Sequence, residues 1–167
     1  MQNSSTACGL IIVCSFLSLA ITQNIFAQDT STQEERAQWV EITHKLESSP
    51  LDDGVNKQGE TALKQVSDAH DIHVPLCPAL LSEFNGMKYA FAHTITRQYM
   101  LASTAFLIEN PNKASDTKAL NLAAVESVLK IYSAILQQKP DAKAKPLDDL
   151  LKKQSQGKLE DSLKQCP

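Results

Sequence analysis

The sequence has little of what proteins use to bind nucleic acid or to hold a redox cofactor. Its 167 residues carry a formal net charge of −3, whereas binding to a phosphate backbone needs a basic surface. The C-x-x-C-H motif that attaches c-type haem does not occur, nor does the G-x-S-x-G turn that presents a hydrolase serine. We therefore predict no nucleic-acid partner, no cofactor and no catalytic residues, and we favour a protein that is not an enzyme.

The sequence also lacks any sustained alternation of apolar and polar residues rich in Val, Ile and Thr, which is the pattern of a β-strand. Aromatic residues make up only 5% of the chain. Leu, Ala and Val must therefore fill the core, and such a core suits closely packed helices. These observations predict an all-α protein.

An apolar run over residues 9–21 is typical of a signal peptide, although no Lys or Arg precedes it. The run is shorter than the ~20 residues of a membrane-spanning helix. Ala27 supplies the small residue of a peptidase site, so we predict a signal peptide over 1–27 and one helical domain over 28–167. We expect a bacterial protein that is periplasmic or secreted. No other stretch reads as long and apolar enough to cross a membrane, so none is predicted after cleavage.

The first part of this domain shows two helical patterns separated by turn-forming residues. A capping pattern at 31–34, followed by apolar residues at helical spacing, predicts a helix over 32–48. Two glycines with Asp and Asn predict a loop or a frayed first turn over 51–59. A weaker apolar pattern predicts a second helix over 59–70.

The centre of the domain reads as a long antiparallel helical hairpin. A proline-rich connector leads to Pro78, which can occupy the first turn of a helix, and the apolar stripe behind it predicts a helix over 78–109. A second apolar pattern predicts its partner over 116–138. Pro146 can open a short helix, and Gly157 separates that from a last one. We expect these shorter helices to cover the hairpin.

Residues of such a hairpin that lie opposite each other have numbers that sum to about 225. Arg97 then lies near Glu126, which interrupts an apolar run and needs a partner if it is buried. His93 faces Tyr132 in the same arrangement. In a second interpretation, His93 and Arg97 line a ligand-binding notch. In a third, which we favour over the notch, Arg97 is paired to an acid within tight helix packing.

The domain contains two cysteines, Cys77 and Cys166, because Cys8 and Cys14 leave with the signal peptide. An even pair in an exported protein predicts a disulfide, which would hold the C-terminal end against the core. In the alternative, Cys77 is a reactive thiol whose pKa is lowered at the start of a helix.

One cluster has the residue types of a metal site. His70 and His73 lie shortly before Cys77, and His93 and His44 could add ligands. Zinc needs three or four converging ligands, and a proline-rich connector does not by itself bring these side chains together. The alternative is a pair of solvated histidines beside a disulfide.

The leading functional hypothesis is a non-enzymatic exported protein of the bacterial cell envelope that binds another protein or itself. An inhibitor or immunity-type protein is one form of it. It depends on the export signal and the helical pattern. The alternative hypothesis is a metal-dependent protein or enzyme centred on His70 and His73.

Overall fold

The computed structural model describes residues 30–166, and the predicted signal peptide over 1–27 lies outside them. Six α-helices and two short 3₁₀ helices make up most of the described chain, which contains no strand. The all-α prediction is confirmed. The helices are α1 Gln33–Ser48, α2 Asp53–Asp68, α3 Pro78–Gly86, α4 Ala92–Glu109, α5 Thr117–Gln138 and α6 Lys145–Ser155; the 3₁₀ helices are Pro111–Lys113 and Leu159–Leu163.

Helix α1 begins within one residue of its predicted start, but its capping box is formed by Thr32 and Glu35, one position after the predicted 31–34 pattern. The hydroxyl of Thr32 accepts a hydrogen bond from the backbone N–H of Glu35 at 3.1 Å, and the Glu35 carboxylate accepts one from the backbone N–H of Thr32 at 2.8 Å. Two backbone donors that the first turn leaves free are thereby satisfied. Trp39, Ile42 and Leu46 lie on one face and are buried.

Helix α2 begins earlier than predicted: the expected loop or frayed first turn over 51–59 is wrong from Asp53 onward, where the chain is helical. Asp52 caps the helix by accepting a hydrogen bond from the backbone N–H of Val55 at 2.8 Å. Gly59 is a contact residue of the helix: a Cβ there would lie 2.9 Å from Leu46 Cδ1 and 3.2 Å from Arg97 Nε. The glycine allows α2 to approach its neighbours closely.

The predicted helix over 78–109 is wrong as a single element, because α3 ends at Gly86 and α4 begins at Ala92. Between them the chain makes a turn with two local backbone hydrogen bonds. The Tyr89 N–H donates to the Met87 carbonyl, and the Ala92 N–H donates to the Tyr89 carbonyl. The break carries the ring of Tyr89 to within 6.1 Å of the Tyr132 ring, edge to face.

Helices α4 and α5 share the most extensive contact in the fold. Helix α5 closely matches the predicted segment 116–138, and Asp116 caps it through the backbone N–H of Ala119 at 2.9 Å. The antiparallel order of the hairpin stays a prediction.

By length and composition, α5 is long and apolar enough to cross a membrane, and no other helix within residues 30–166 is. The expectation that no stretch beyond the signal segment would qualify is therefore wrong. In the fold, Val125, Leu129 and Ile135 of α5 are buried. A core helix needs the same apolar residues as a membrane span, so its place in the core explains the composition of α5.

The C-terminal part covers one side of this core. Pro146 lies in the first turn of α6, as predicted, and Gly157, with φ of +66°, separates α6 from the 3₁₀ helix Leu159–Leu163. Leu159 and Leu163 are buried, and they belong to the same apolar cluster as the core residues of α1.

Candidate functional site

A groove with a volume of about 560 Å³ runs between α1 and α2. Its floor is apolar and comes from Trp39 and Ile42 of α1 and Ala62 of α2, all three buried. Its rim is polar and carries Gln38, Glu41, Lys45, Gly54, Lys57, Gln58, Thr61 and Gln65. A narrow apolar floor with a polar rim is typical of sites that bind through shape and a few directed hydrogen bonds.

Several polar groups of the groove already have partners within the protein. The indole N–H of Trp39 donates to Gln65 Oε1 at 3.0 Å, and the Thr61 hydroxyl donates to the Lys57 backbone carbonyl at 3.0 Å. Lys45 Nζ lies 2.6 Å from Glu41 Oε1. The hydrogen bond and the charge of Lys45 lower the pKa of Glu41, so the charges of this pair offset each other at neutral pH.

Three other groups on the rim remain available. The side-chain amides of Gln38 and Gln58 and the ammonium group of Lys57 make no hydrogen bond or ion pair with any side chain in the described part of the protein. All three residues are exposed. The groove therefore offers two amides, each a donor and an acceptor, and one cation.

The opposite face of α2 is held against α4 by Arg97. This guanidinium is 2% exposed and donates to the side chains of Asn56 and Glu60 and, at 3.3 Å, to the Asn56 carbonyl. His93 Nε2 lies 2.9 Å from the same Glu60 oxygen. Partial burial raises the pKa of Glu60, but the hydrogen bonds and charges of Arg97 and His93 together outweigh it, and the pKa is lowered.

This cluster corrects two pairings predicted from the hairpin. Arg97 binds Glu60, and Glu126 is exposed on α5, so the Arg97–Glu126 pair is wrong. His93, which was predicted to face Tyr132, is exposed and contacts Glu60, whereas Tyr132 is fully buried. The Tyr132 hydroxyl donates to Asp148 Oδ1 at 2.7 Å and accepts from a backbone N–H of the segment before α6.

The ligand-binding notch predicted at His93 and Arg97 is occupied by the protein itself. Asn56 and Glu60 fill the space in front of the guanidinium, and Arg97 Nε, which lacks a hydrogen-bond partner, is next to Gly59. The interpretation of Arg97 as a residue paired to an acid, within tight helix packing, matches this arrangement.

Cys77 and Cys166 lie together, with their sulfur atoms 2.19 Å apart at disulfide distance and their Cα atoms 5.1 Å apart. Cys77 is fully buried before α3. Its backbone N–H donates to the Tyr99 hydroxyl at 3.0 Å, and that hydroxyl donates to Asn121 Oδ1 at 2.5 Å. The structure thus joins the start of α3, the middle of α4 and the first turns of α5 at this cysteine.

His70 and His73 are exposed on the connector between α2 and α3, and neither makes a hydrogen bond or ion pair to another described residue. The sulfur of Cys77 lies at bonding distance from Cys166, which removes it as a thiolate ligand. Within residues 30–166, no group of three or more His, Cys, Asp or Glu side chains is placed to hold a metal ion.

Comparison with known proteins adds no assignment: no protein-family model, curated protein or solved structure matches this chain. The groove between α1 and α2 is therefore the candidate binding site within residues 30–166. Sequence reasoning missed this site because it placed Gly54, Lys57 and Gln58 in a loop. The cap at Asp52 was the signal that could have revealed it.

Proposed function

We propose that this chain is a non-enzymatic exported binding protein, and that it holds part of a partner protein in the groove between α1 and α2. The apolar run over residues 9–21 supports export, to the periplasm or the medium of a bacterium. An inhibitor or immunity-type protein of the cell envelope would work in this way, because it acts by occupying a partner.

The observation that carries the proposal is the groove itself. Its apolar floor lies between two rims that hold unpaired amides and an unpaired cation. Buried apolar contact supplies binding free energy, and directed polar groups at the rim supply specificity.

Helix α2 forms one wall of the groove and is well suited to this role, because contacts on its opposite face hold it in place. Arg97 holds Asn56 and Glu60 on the far side of α2, and Gly59 allows the close approach. A rigid wall loses little conformational entropy when a partner binds, which favours affinity.

Site-specific photocrosslinking of the full chain in its own host tests the proposal. A photoreactive residue replaces Gln58 in the groove, and in a matched control it replaces Gln137, an exposed glutamine of α5 outside the groove. We expect a discrete crosslinked protein from position 58 and not from position 137.

A second variant tests whether the crosslink from position 58 depends on the groove. Thr61→Arg places a long side chain on the rim, and it should abolish the crosslink from position 58 while leaving the melting temperature close to its original value. A crosslink that forms equally from both positions, or survives Thr61→Arg, would contradict the proposal. A product that joins two copies of the chain through position 58 would identify the partner as a second copy.

A further inference from the structure

We infer that the groove between α1 and α2 accepts an extended stretch of the partner's polypeptide, with an acidic side chain beside Lys57. The inference rests on the proposed function and names the chemistry of the segment that is bound. It is argued from the side-chain amides of Gln38 and Gln58, from the ammonium group of Lys57 and from the size of the apolar floor.

The two free amides favour an extended segment over a helical one. Gln38 lies on α1 and Gln58 on α2, on the two rims of the groove. Each amide offers a carbonyl acceptor and an NH₂ donor. An extended backbone presents unpaired N–H and C=O groups along both sides, whereas a helix has used these groups internally. Amides on both rims therefore match a strand-like segment.

The apolar floor of the groove also favours an extended segment over a helical one. An amphipathic helix docks through several apolar anchors spaced over two or more turns. Here the apolar floor is limited to Trp39, Ile42 and Ala62. Such a floor accepts one or two side chains from one face of an extended segment, in which successive side chains point to opposite sides.

The charge of the groove selects the side chain next to Lys57. The carboxylate of Glu41 is neutralised by Lys45 at 2.6 Å. Lys57 makes no ion pair, although Asp53 precedes it by one turn on the same helix. Among the residues that line the groove, Lys45 and Lys57 outnumber the one carboxylate, Glu41, and this excess of positive charge favours Asp or Glu in the bound segment.

Fluorescence of Trp39 provides the measurement, because it is the only tryptophan of the chain and lies in the floor. The probes are three pools of end-capped nonapeptides that differ only in their central residue, which is Asp, Asn or Lys. We expect the Asp pool to change the Trp39 emission with an apparent Kd about two- to fivefold lower than that of the Asn pool, as for one exposed ion pair. The Lys pool should bind most weakly.

A charge reversal tests the role of Lys57. Lys57→Glu should reverse the order, so that the Lys pool binds most tightly. The matched control Lys139→Glu, at an exposed position outside the groove, should leave the order unchanged. Gln58→Ala should weaken all three pools alike, because it removes backbone hydrogen bonds.

Two results would overturn the inference: no emission change with any pool at about 1 mM peptide, or a preference for Asp that Lys57→Glu does not alter. A failure of this kind, with the crosslink from position 58 intact, leaves the groove as a binding site for a segment of other chemistry. Loss of the crosslink itself would remove the proposed function. The two experiments therefore fail independently.

Discussion

Arg97 carries its positive charge inside the protein, and its immediate neighbours make that position tolerable. Moving a charge out of water costs several kcal/mol unless partners replace the lost hydration. Here Glu60 supplies a carboxylate and Asn56 supplies two oxygens. Because 46% of the Glu60 side chain remains exposed, solvent weakens its attraction to Arg97.

Glu60→Gln is therefore expected to lower the free energy of unfolding by roughly 1–2 kcal/mol, less than the 3–5 kcal/mol of a fully buried pair. The variant keeps the shape of the side chain but removes its charge, so Arg97 stays buried with a weaker partner. Urea denaturation measures the loss as a lower midpoint with an unchanged slope.

Glu126→Gln is the matched control. Glu126 is exposed on α5, so the same change there should shift the free energy of unfolding by less than about 0.5 kcal/mol. A larger loss for Glu126→Gln than for Glu60→Gln would restore the pairing of Arg97 with Glu126 that the sequence suggested.

At the scale of helices, the start of α1 is tied to the connector that follows α2. Asp71 Oδ2 accepts hydrogen bonds from the Ser31 hydroxyl at 3.0 Å and from Arg36 at 2.6 Å. A backbone hydrogen bond from Ser31 has the largest effect on the Asp71 carboxyl, and together with the two side-chain contacts it outweighs desolvation and lowers the pKa of Asp71 to about 2, from an ordinary value of 3.8.

The direction of this shift predicts how acid acts on α1. A carboxyl whose pKa is lowered by folding stabilises the folded state above its unfolded pKa, and the contribution is lost as the pH falls through the folded value. We therefore expect the first turn of α1 to be held fully above about pH 4 and to loosen between pH 4 and 2. Amide exchange protection of residues 31–36, corrected for intrinsic rates, is the measurement.

Asp71→Asn and Asp68→Asn form a matched pair for this prediction. The first should already be loosened at pH 5 and should show little further change on acidification. The second removes only an exposed contact with Lys64 and should behave like the original chain. Equal amide protection of residues 31–36 in Asp71→Asn and in the original chain would show that Asp71 does not hold the start of α1.

The helices that the sequence predicted well have strong local signals at their ends. A capping box starts α1, Asp116 caps α5, and Pro146 lies in the first turn of α6. These effects act within one turn, so a sequence reveals them. The break after α3 was missed because the apolar stripe continues from Phe84 to Ile95, both of which are buried.

The groove and the partner of Arg97 were missed for one shared reason. Glycine was treated as a turn residue, but Gly59 lies within α2, and glycine is needed at that position because a Cβ would meet Leu46 and Arg97. That requirement comes from tertiary packing and has no local signature. Because the predicted α2 began only at residue 59, Asn56 and the groove residues Gly54, Lys57 and Gln58 were assigned to a loop.

At the scale of the whole molecule, the pair of Cys77 and Cys166 connects the C-terminal end of the chain to the start of α3. The C-terminal 3₁₀ helix is short, yet its Leu159 and Leu163 are buried against α5 and α6. Chain ends usually fray unless they are held against the rest of the fold. Cys166 lies three residues after this helix and connects to Cys77, which is separated from it by 89 positions along the chain.

Thiol counting on the denatured, non-reduced mature protein should therefore find no free thiol. Two free thiols per chain would refute the bond. Closing a loop of this length reduces the entropy of the unfolded chain, which corresponds to about 4.5 kcal/mol of stability as an upper value. Reduction should accordingly lower the melting temperature, and the last ten residues should lose amide protection before the helices of the core do.

The variant with Cys77→Ala and Cys166→Ala provides the control for the reductant. Its melting temperature should lie near that of the reduced original chain and should not respond to added dithiol. If the reductant lowered both melting temperatures equally, the effect would not come from this bond. If residues 157–166 kept their protection after reduction, Leu159 and Leu163 alone would hold the chain end, and the bond would act only through the unfolded state.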